Sequence, residues 1–178
     1  DKEGSLLVTQ AATGAIMTAK YQPFFGTVGV APAHGEIRLS VVPGDFGGNL
    51  DLVDIGPRVT LYLRTNLDGA HLYLGDGHYA QGDGEVTGTA IEGAFNSTLV
   101  VDTITSENEI VWPRMESDTH IGTIGCARPV DDAIRIAVTE LVYWVSDLID
   151  LNIYDAHQLV SQNCSIRIGN MVNPQFST

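Results

Sequence analysis

The segment PVDDAIRIAVTELVYWVSDLI, residues 129–149, decides the fold class, because the hydrophobic period of the sequence changes there. Its apolar residues recur at spacings of three and four, the repeat of an α-helix with one wide apolar face. These residues are Ile134, Ala137, Val138, Leu141, Val142, Val145, Leu148 and Ile149. The segment therefore predicts one long helix, with its N-terminus capped near Asp131.

The sequence after this helix predicts a second, shorter helix and then a strand. The shorter helix is predicted to begin at Asn152, a residue type that caps helices. Its inward-facing positions are Ile153, Ala156, Leu159 and Val160. The run CSIRIGNMV, residues 164–172, is predicted to return to strand.

The sequence before residue 129 has the pattern of β-structure. Short β-branched or alternating runs are separated about every ten residues by Gly, Pro, Asn and Asp, as in a sandwich or barrel. In RVTLYLRT, residues 58–65, Val59, Leu61 and Leu63 alternate with more polar positions. The other predicted strands are SLLVTQ, GTVGVA, EIRLSVV, AHLYLGD, STLVVDTI and EIVWPRM.

These patterns predict one domain over residues 1–178, mainly β and sandwich-like, with a late pair of helices. Residues 1–128 form its β-rich part, and residues 129–178 form the two helices and a closing strand. An α+β fold is the alternative. A chain of 178 residues is long enough to bury a core of its own.

The charge and the cysteines exclude several classes of function. A net charge of -13, with only nine Lys and Arg, argues against binding to nucleic acid or to anionic membranes. The two cysteines, Cys126 and Cys164, provide neither a disulfide framework nor a CxxC zinc motif. A chain without a disulfide framework is typical of a reducing compartment, so we predict a cytoplasmic protein.

The stretch LGDGHYAQGDGE, residues 74–85, crowds Asp76, Asp83 and Glu85 around His78. Glycines between them permit the sharp turns that bring such groups together. Carboxylates and imidazole are cation ligands, and crowded carboxylates also shift one another's pKa for acid–base chemistry. A solvated turn and a structural calcium-binding turn are the alternatives.

Two further segments carry unusual polar residues. The segment PGDFGGNLDLVDIG, residues 43–56, places Asn49 and Asp51 directly after a Gly-Gly turn. The segment MESDTHIGTIG contains His120 shortly before a predicted strand.

Taken in order, these segments resemble the acetamidase/formamidase family. The resemblance begins at FFGTVGVAPAHGEI, is most specific at GDGHYAQGDGEVTGTAIE, and continues through ESDTHIGTIG, DDAIRIAV and IGNMVNP. It corresponds to the C-terminal two thirds of the usual family chain. It implies a β-rich fold with a metal-assisted site that hydrolyses short carboxamides, such as formamide or acetamide, to acid and ammonia.

Among the motif residues, donor chemistry indicates which would form a metal site. His78 and Asp51 are the expected ligands, and Asp76 is either a third ligand or the group that orients His78. The expected cofactor is a divalent metal. Zinc is preferred over calcium because calcium rarely takes an imidazole ligand.

The remaining motif residues are assigned to catalysis and substrate binding. Glu85 is the expected general base, and Asp83 and His120 are further catalytic candidates. The expected contacts to the amide substrate are Asn49, Gln81 and Glu92.

The sequence departs from the family pattern at three positions and in length. Phe46, Leu52 and Ser165 stand where many members have His, Cys and Asp, respectively. The family usually has about a hundred or more residues upstream, the scale of a small domain.

The expected partners are a small amide, further copies of this chain, and/or a separate N-terminal chain. A non-catalytic calcium-binding β-module and an inactive subunit of an amidase assembly are the alternative functions.

Overall fold

The computed structural model describes residues 4–105 and 108–178. Within those ranges it has eleven strands, two α-helices and a short 3₁₀ helix at Ala33–Gly35. The strands and α-helices are β1 (Ser5–Thr9), β2 (Ile16–Lys20), β3 (Phe24–Gly29), β4 (Gly47–Asn49), β5 (Thr60–Tyr62), β6 (Tyr73–Ala80), β7 (Ile91–Glu92), β8 (Arg114–Glu116), β9 (Ile121–Thr123), β10 (Cys126–Ala127), α1 (Val130–Leu148), α2 (Ile153–Asn163) and β11 (Phe176–Ser177). The mainly β class with two late helices is confirmed. None of the helices in those ranges has the length and apolar character needed to cross a bilayer.

A four-stranded antiparallel sheet, in the order β4-β3-β6-β7, brings the polar motifs together. Thr27 on β3 lies opposite Asn49 on β4, and Phe24 lies opposite His78 on β6. His78 in turn lies opposite Glu92 on β7, where an irregularity shifts the register. Residues far apart in the sequence therefore meet on neighbouring strands.

The core beside this sheet fixes the position of Asp51. Leu50 and Leu52 are buried in one cluster with Ile124 and Cys126. Because two core leucines flank Asp51, burying them holds its backbone in place on both sides. The remaining strands form a three-stranded sheet, β5-β8-β9, and two pairs, β1-β2 and β10-β11.

The two helices pack against each other over a second cluster made by Val142, Ala156 and Val160. The prediction of the α2 cap is confirmed: Asn152 Oδ1 accepts the backbone N–H groups of Tyr154 and Asp155, each at 3.1 Å.

The predicted cap of α1 is wrong. Pro129 is the N-cap residue, with extended backbone angles, and Asp131 lies inside the first turn. Proline suits a helix start because it has no N–H to leave unpaired there. The Asp131 carboxylate instead interacts favourably with the positive end of the helix dipole.

Three predicted strands are not strands. EIRLSVV (residues 36–42) and STLVVDTI (residues 97–104) lack strand structure, and Ile37 and Val100 are 97% and 96% exposed. CSIRIGNMV (residues 164–172) is irregular apart from a bridge at Asn170. Alternating apolar residues permit strand formation, but a strand also needs a pairing edge, which its own sequence does not specify.

Candidate metal centre

Three buried side chains meet at one end of the four-stranded sheet. Asp51, His78 and Glu85 are only 1%, 1% and 8% exposed, and each offers a ligand atom within 4.8 Å of the others. Asp76 and Glu92 form an overlapping group with the same His78. Four carboxylates therefore surround one imidazole.

The backbone at this site adopts conformations that non-glycine residues rarely take. Asp51, Asp76 and Glu85 have φ angles of +46°, +58° and +42°. Left-handed conformations of this kind are unfavourable for side chains with a Cβ, and they cluster at functional sites that the surrounding structure holds in place. Three acidic residues are thus presented in one unusual backbone state.

The hydrogen bonds of Gln81 fix the tautomer of His78. Gln81 Nε2 donates to the carbonyls of Asp51 (2.6 Å) and Gly169 (3.0 Å), so its Oε1 remains as acceptor. His78 Nδ1 lies 2.9 Å from that Oε1 and must carry the proton. His78 Nε2 therefore presents either a lone pair or a second proton to the carboxylates, and it lies 3.1 Å from Asp76 Oδ1. Phe24 packs edge-on against the imidazole ring at 4.9 Å.

The two oxygens of Asp51 have opposite surroundings. Oδ2 accepts hydrogen bonds from Asn49 (2.7 Å), Asn170 (3.1 Å) and Asn173 (2.9 Å). Oδ1 is buried and has no hydrogen-bond partner within the described residues, whereas the buried His78 Nε2 pairs with the carboxylate of Asp76. A buried acceptor without a partner is unfavourable, and a bound cation would satisfy it.

Gly26 on β3 leaves the space that Asp51 Oδ1 and the His78 ring face. A Cβ at this position would lie 2.5 Å from Asp76 Oδ2, 2.6 Å from Asp51 Oδ1 and 2.9 Å from His78 Cε1. Only glycine fits such a close approach. We call the five residues Gly26, Asp51, Asp76, His78 and Glu85 the cradle.

Burial and mutual charge interactions shift the pKa values of the cradle side chains. Burial, with the charges of Glu85 and Asp76, raises the pKa of Asp51 to about 8. Burial also raises the pKa of Glu85. Burial lowers the pKa of His78, but its hydrogen bond and charge interaction with Asp76 outweigh this effect and raise it overall. The hydrogen bond with His78 lowers the pKa of Asp76. The cradle thus retains protons that a cation would displace.

The cradle fits a divalent cation. Its donors are carboxylate oxygens and one imidazole nitrogen, a set that zinc and other transition metals accept. Asp51 Oδ1 is buried without a hydrogen-bond partner in the described part of the chain, and His78 Nε2 is buried against the carboxylate of Asp76, itself a candidate ligand. Acidic and imidazole groups capable of holding a metal are therefore brought together as the sequence predicted.

The other predicted site residues are placed in different surroundings. Glu92 is exposed and lies opposite His78. Asn49 accepts from Thr27 Oγ1 at 2.6 Å and donates to Asp51, so it engages protein partners, as Gln81 does. That Asn49, Gln81 and Glu92 contact substrate stays a prediction.

Asp83 and His120 are not brought into the cradle. Asp83 lies 3.1 Å from Arg167 Nε, and Arg167 also donates to both oxygens of Asp54. His120 contacts Ser117 through its Nδ1 at 3.0 Å. Both residues line an apolar groove that none of the cradle residues lines. Their catalytic roles stay predictions.

The three departures from the family pattern also lie outside the cradle. Phe46 is buried beside Gly44 and Gly48, Leu52 is in the core, and Ser165 lines the groove that also contains His120.

Sequence reasoning missed Gly26, Asn170 and Asn173. A glycine inside a β-branched strand, as in FFGTVG, is a signal of close approach that could have identified Gly26. The two asparagines lie in the quoted IGNMVNP, but nothing local indicates that they reach Asp51, 119 and 122 residues away.

Fold and site together describe a β-rich protein with a buried carboxylate–imidazole centre. Residues 10–116 match the model of the acetamidase/formamidase family. The chain belongs to this family. No match was found among the curated proteins.

Three solved structures are similar to this chain. An acetamidase from Yersinia enterocolitica is 38% identical with a TM-score of 0.78, and 96% of this chain aligns with 50% of that one. An acetamidase from Bacillus halodurans is 32% identical (TM-score 0.78, 94% of this chain, 55% of that one). A predicted acetamidase/formamidase from the thermophile Thermoanaerobacter tengcongensis is 25% identical (0.76, 95% and 57%). The chain therefore spans about half the length of these structures.

Proposed function

We propose that this chain carries the metal-assisted site of an amidase that hydrolyses short carboxamides to carboxylic acid and ammonia. One observation carries the proposal: Asp51 Oδ1, buried without a hydrogen-bond partner among the described residues, faces the space over Gly26 together with Asp76 Oδ2 and the His78 ring. Membership of the acetamidase/formamidase family supports the choice of amides as substrates.

Asp51 and His78 would hold the cation, with Asp76 as a third donor. When bound, a divalent cation supplies polarisation of the amide carbonyl and lowers the pKa of a water molecule from about 15.7 to about 7. Zinc is the proposed metal because imidazole is a donor it prefers.

Glu85 is the proposed proton acceptor. Its carboxylate takes one proton from water as the water oxygen bonds to the carbonyl carbon. The C–N bond then breaks, and the same proton goes to the departing nitrogen, so that carboxylic acid and ammonia are released. The raised pKa of Glu85 supports this role, because a carboxylate that accepts and returns a proton works best near the ambient pH.

The test is ammonia release from formamide and acetamide by protein stripped of metal and then loaded with zinc, calcium or neither. We expect turnover with zinc alone. Equal turnover by the stripped protein would overturn the metal-assisted mechanism. Zinc binding without turnover of either amide would contradict the proposed amidase activity and support the proposed metal site.

A structural calcium site is the second candidate, because four carboxylates surround the centre. The imidazole donor disfavours it. Tight calcium binding that zinc does not displace, without amide turnover, would favour this alternative. The assembly partners, further copies of this chain and/or a separate N-terminal chain, remain part of the proposal.

A further inference from the structure

We propose that Asn170 and Asn173 are positioning residues of the metal centre. Both lie in the segment between α2 and β11, residues 164–175. They hold one oxygen of Asp51 so that the other oxygen faces the cation. This inference rests on the proposed metal centre, but not on the identity of the substrate.

The geometry at Asp51 supports this role. The terminal torsion of an Asp side chain is soft and roughly two-fold, so its hydrogen bonds decide which oxygen points where. Asn49, Asn170 and Asn173 all donate to Oδ2, at 2.7, 3.1 and 2.9 Å. Three donors on one oxygen leave Oδ1 directed at the space above Gly26.

The orientation of the Asn170 amide is itself fixed. Its Oδ1 accepts the backbone N–H groups of Val172 (3.2 Å) and Asn173 (3.0 Å), so its Nδ2 must be the group that faces Asp51. Its own N–H donates to Ser177 Oγ at 3.0 Å, and the residue is fully buried. Asn170 therefore delivers a donor, with no freedom to turn an acceptor toward the carboxylate.

The same segment also holds the turn that carries Glu85. Gly84 N–H donates to the carbonyl of Ile168 at 2.8 Å, and Met171 N–H donates to the carbonyl of Gly84 at 2.9 Å. One stretch of chain thus fixes the Asp51 carboxylate and the backbone next to Glu85. A change in this segment alters the cradle through residues that themselves touch no cation.

The decisive experiment measures zinc affinity and not amide turnover. Zinc chloride is titrated by calorimetry into metal-free protein carrying Asn173→Ala, which removes the donor from the more accessible of the two residues. Removing hydrogen-bond partners of metal ligands typically weakens metal binding 10–100-fold, and we expect a loss of at least about tenfold. Asn66→Ala is the matched control, because Asn66 is also half-buried and donates to a backbone carbonyl, that of Ala31, at 3.0 Å.

A second measurement separates positioning from general structural support. The melting temperature Tm is recorded with and without zinc for both variants. Positioning predicts that Asn173→Ala reduces the rise in Tm that zinc produces, more than it reduces the Tm of the metal-free protein. Asn170→Ala tests the second residue and should weaken zinc binding further.

The outcomes are separable. Zinc affinity of Asn173→Ala equal to that of the unsubstituted chain overturns the inference and leaves the metal centre intact. A chain that binds no zinc overturns both the metal centre and the inference. A chain that binds zinc, loses affinity in Asn173→Ala and hydrolyses neither formamide nor acetamide overturns the proposed activity alone.

Discussion

The cradle and the groove between the helices and β9 are built in opposite ways. The cradle is small and polar, with Asp51, His78 and Glu85 buried, and Asp51 is held by hydrogen bonds that include one from Asn170, 119 residues away. The groove is an open space of about 800 Å³ with an apolar wall that includes Ile134, Val138, Leu141 and Leu159. Leu159 remains 38% exposed.

The cradle and the groove therefore differ in how strictly their residues are specified. Buried polar networks are specific, because each unpaired group is unfavourable and each donor needs a defined acceptor. Apolar walls tolerate exchange among residues of similar volume. An open apolar surface of this kind also marks contact sites between proteins. We therefore expect substitutions in the cradle to change chemistry, and substitutions in the groove to change association.

The largest effect is expected from His78→Ala. It removes the only imidazole among the proposed ligands, and metal binding depends strongly on the donor set. Zinc binding by calorimetry and ammonia release should both fall below detection. His157→Ala, at an exposed position of α2, is the matched control and should preserve both. Full zinc affinity in His78→Ala would show that the cradle is not the metal centre.

Glu85→Gln should separate chemistry from metal binding within the cradle. The substitution keeps the shape and removes the basicity, so kcat should fall at least about a hundredfold, the lower range for general acid–base catalysis. Zinc content should be retained, as measured by elemental analysis. Glu36→Gln, at an exposed position, is the control. If Glu85→Gln loses zinc as fully as His78→Ala, Glu85 is a ligand and the base lies elsewhere.

Gly26→Ala tests whether the space of the cradle matters as much as its donors. The added methyl group would overlap Asp51 Oδ1 and Asp76 Oδ2, so zinc affinity should fall by about tenfold or more. Gly75→Ala is the matched control, since Gly75 lies in the same sheet and a Cβ there meets no described atom within 4 Å. Equal effects of the two substitutions would mean that strand stability, and not space, explains the result.

The raised pKa of Asp51 predicts an unusual pH dependence of stability. Between the ordinary Asp value of 3.8 and about 8, the folded chain holds a proton on Asp51 that the unfolded chain has lost. Stability of the metal-free protein from this group should therefore decrease as pH rises from about 4 to 8. Bound zinc should flatten the decrease, because a cation favours the ionised carboxylate. Thermal melts of unsubstituted and Asp51→Asn protein across this range check the prediction, and an Asp51→Asn profile identical to the unsubstituted one would contradict it.

The smallest effect on the cradle is expected from a change in the groove. Leu159→Asp introduces charge at a half-exposed apolar position on α2. Zinc affinity should stay within about twofold, as expected for distant, independent sites. Self-association, predicted from the sequence, should be weakened, which native mass spectrometry measures. A monomeric unsubstituted chain would make the prediction of self-association wrong, and association unchanged by Leu159→Asp would exclude the groove as its site.

The helices could be predicted from sequence because their signals are local. The three- and four-residue period of α1 and the capping side chain of Asn152 act within a few residues. The strands at residues 36–42 and 97–104 could not be predicted correctly, because alternation is local but a pairing edge is not.

The candidate site shows the same difference between local signals and long-range contacts. The grouping of Asp51, His78 and Glu85 could be predicted because each lies in a segment with its own concentration of acidic groups and glycines. Asn170 and Asn173 carry no such local signal, since their function depends on an oxygen more than a hundred residues away. Gly26 had a signal, a glycine within a strand, but its meaning depends on side chains from β6 and from the turn after β4.

The long reach from Asp51 to Asn170 has a consequence for how the centre is made in the cell. At a synthesis rate of about 5–20 residues per second, the 119 residues between them take roughly 6–24 s to translate. Once Glu85 has been made, the nascent chain contains Asp51, His78 and the amide of Asn49, but it lacks two of the three amides that donate to Asp51. The full set of hydrogen bonds at Asp51 therefore forms only after Asn173 has been synthesised. A chain that ends between residues 85 and 170 contains the proposed ligands and lacks the two asparagines that orient Asp51.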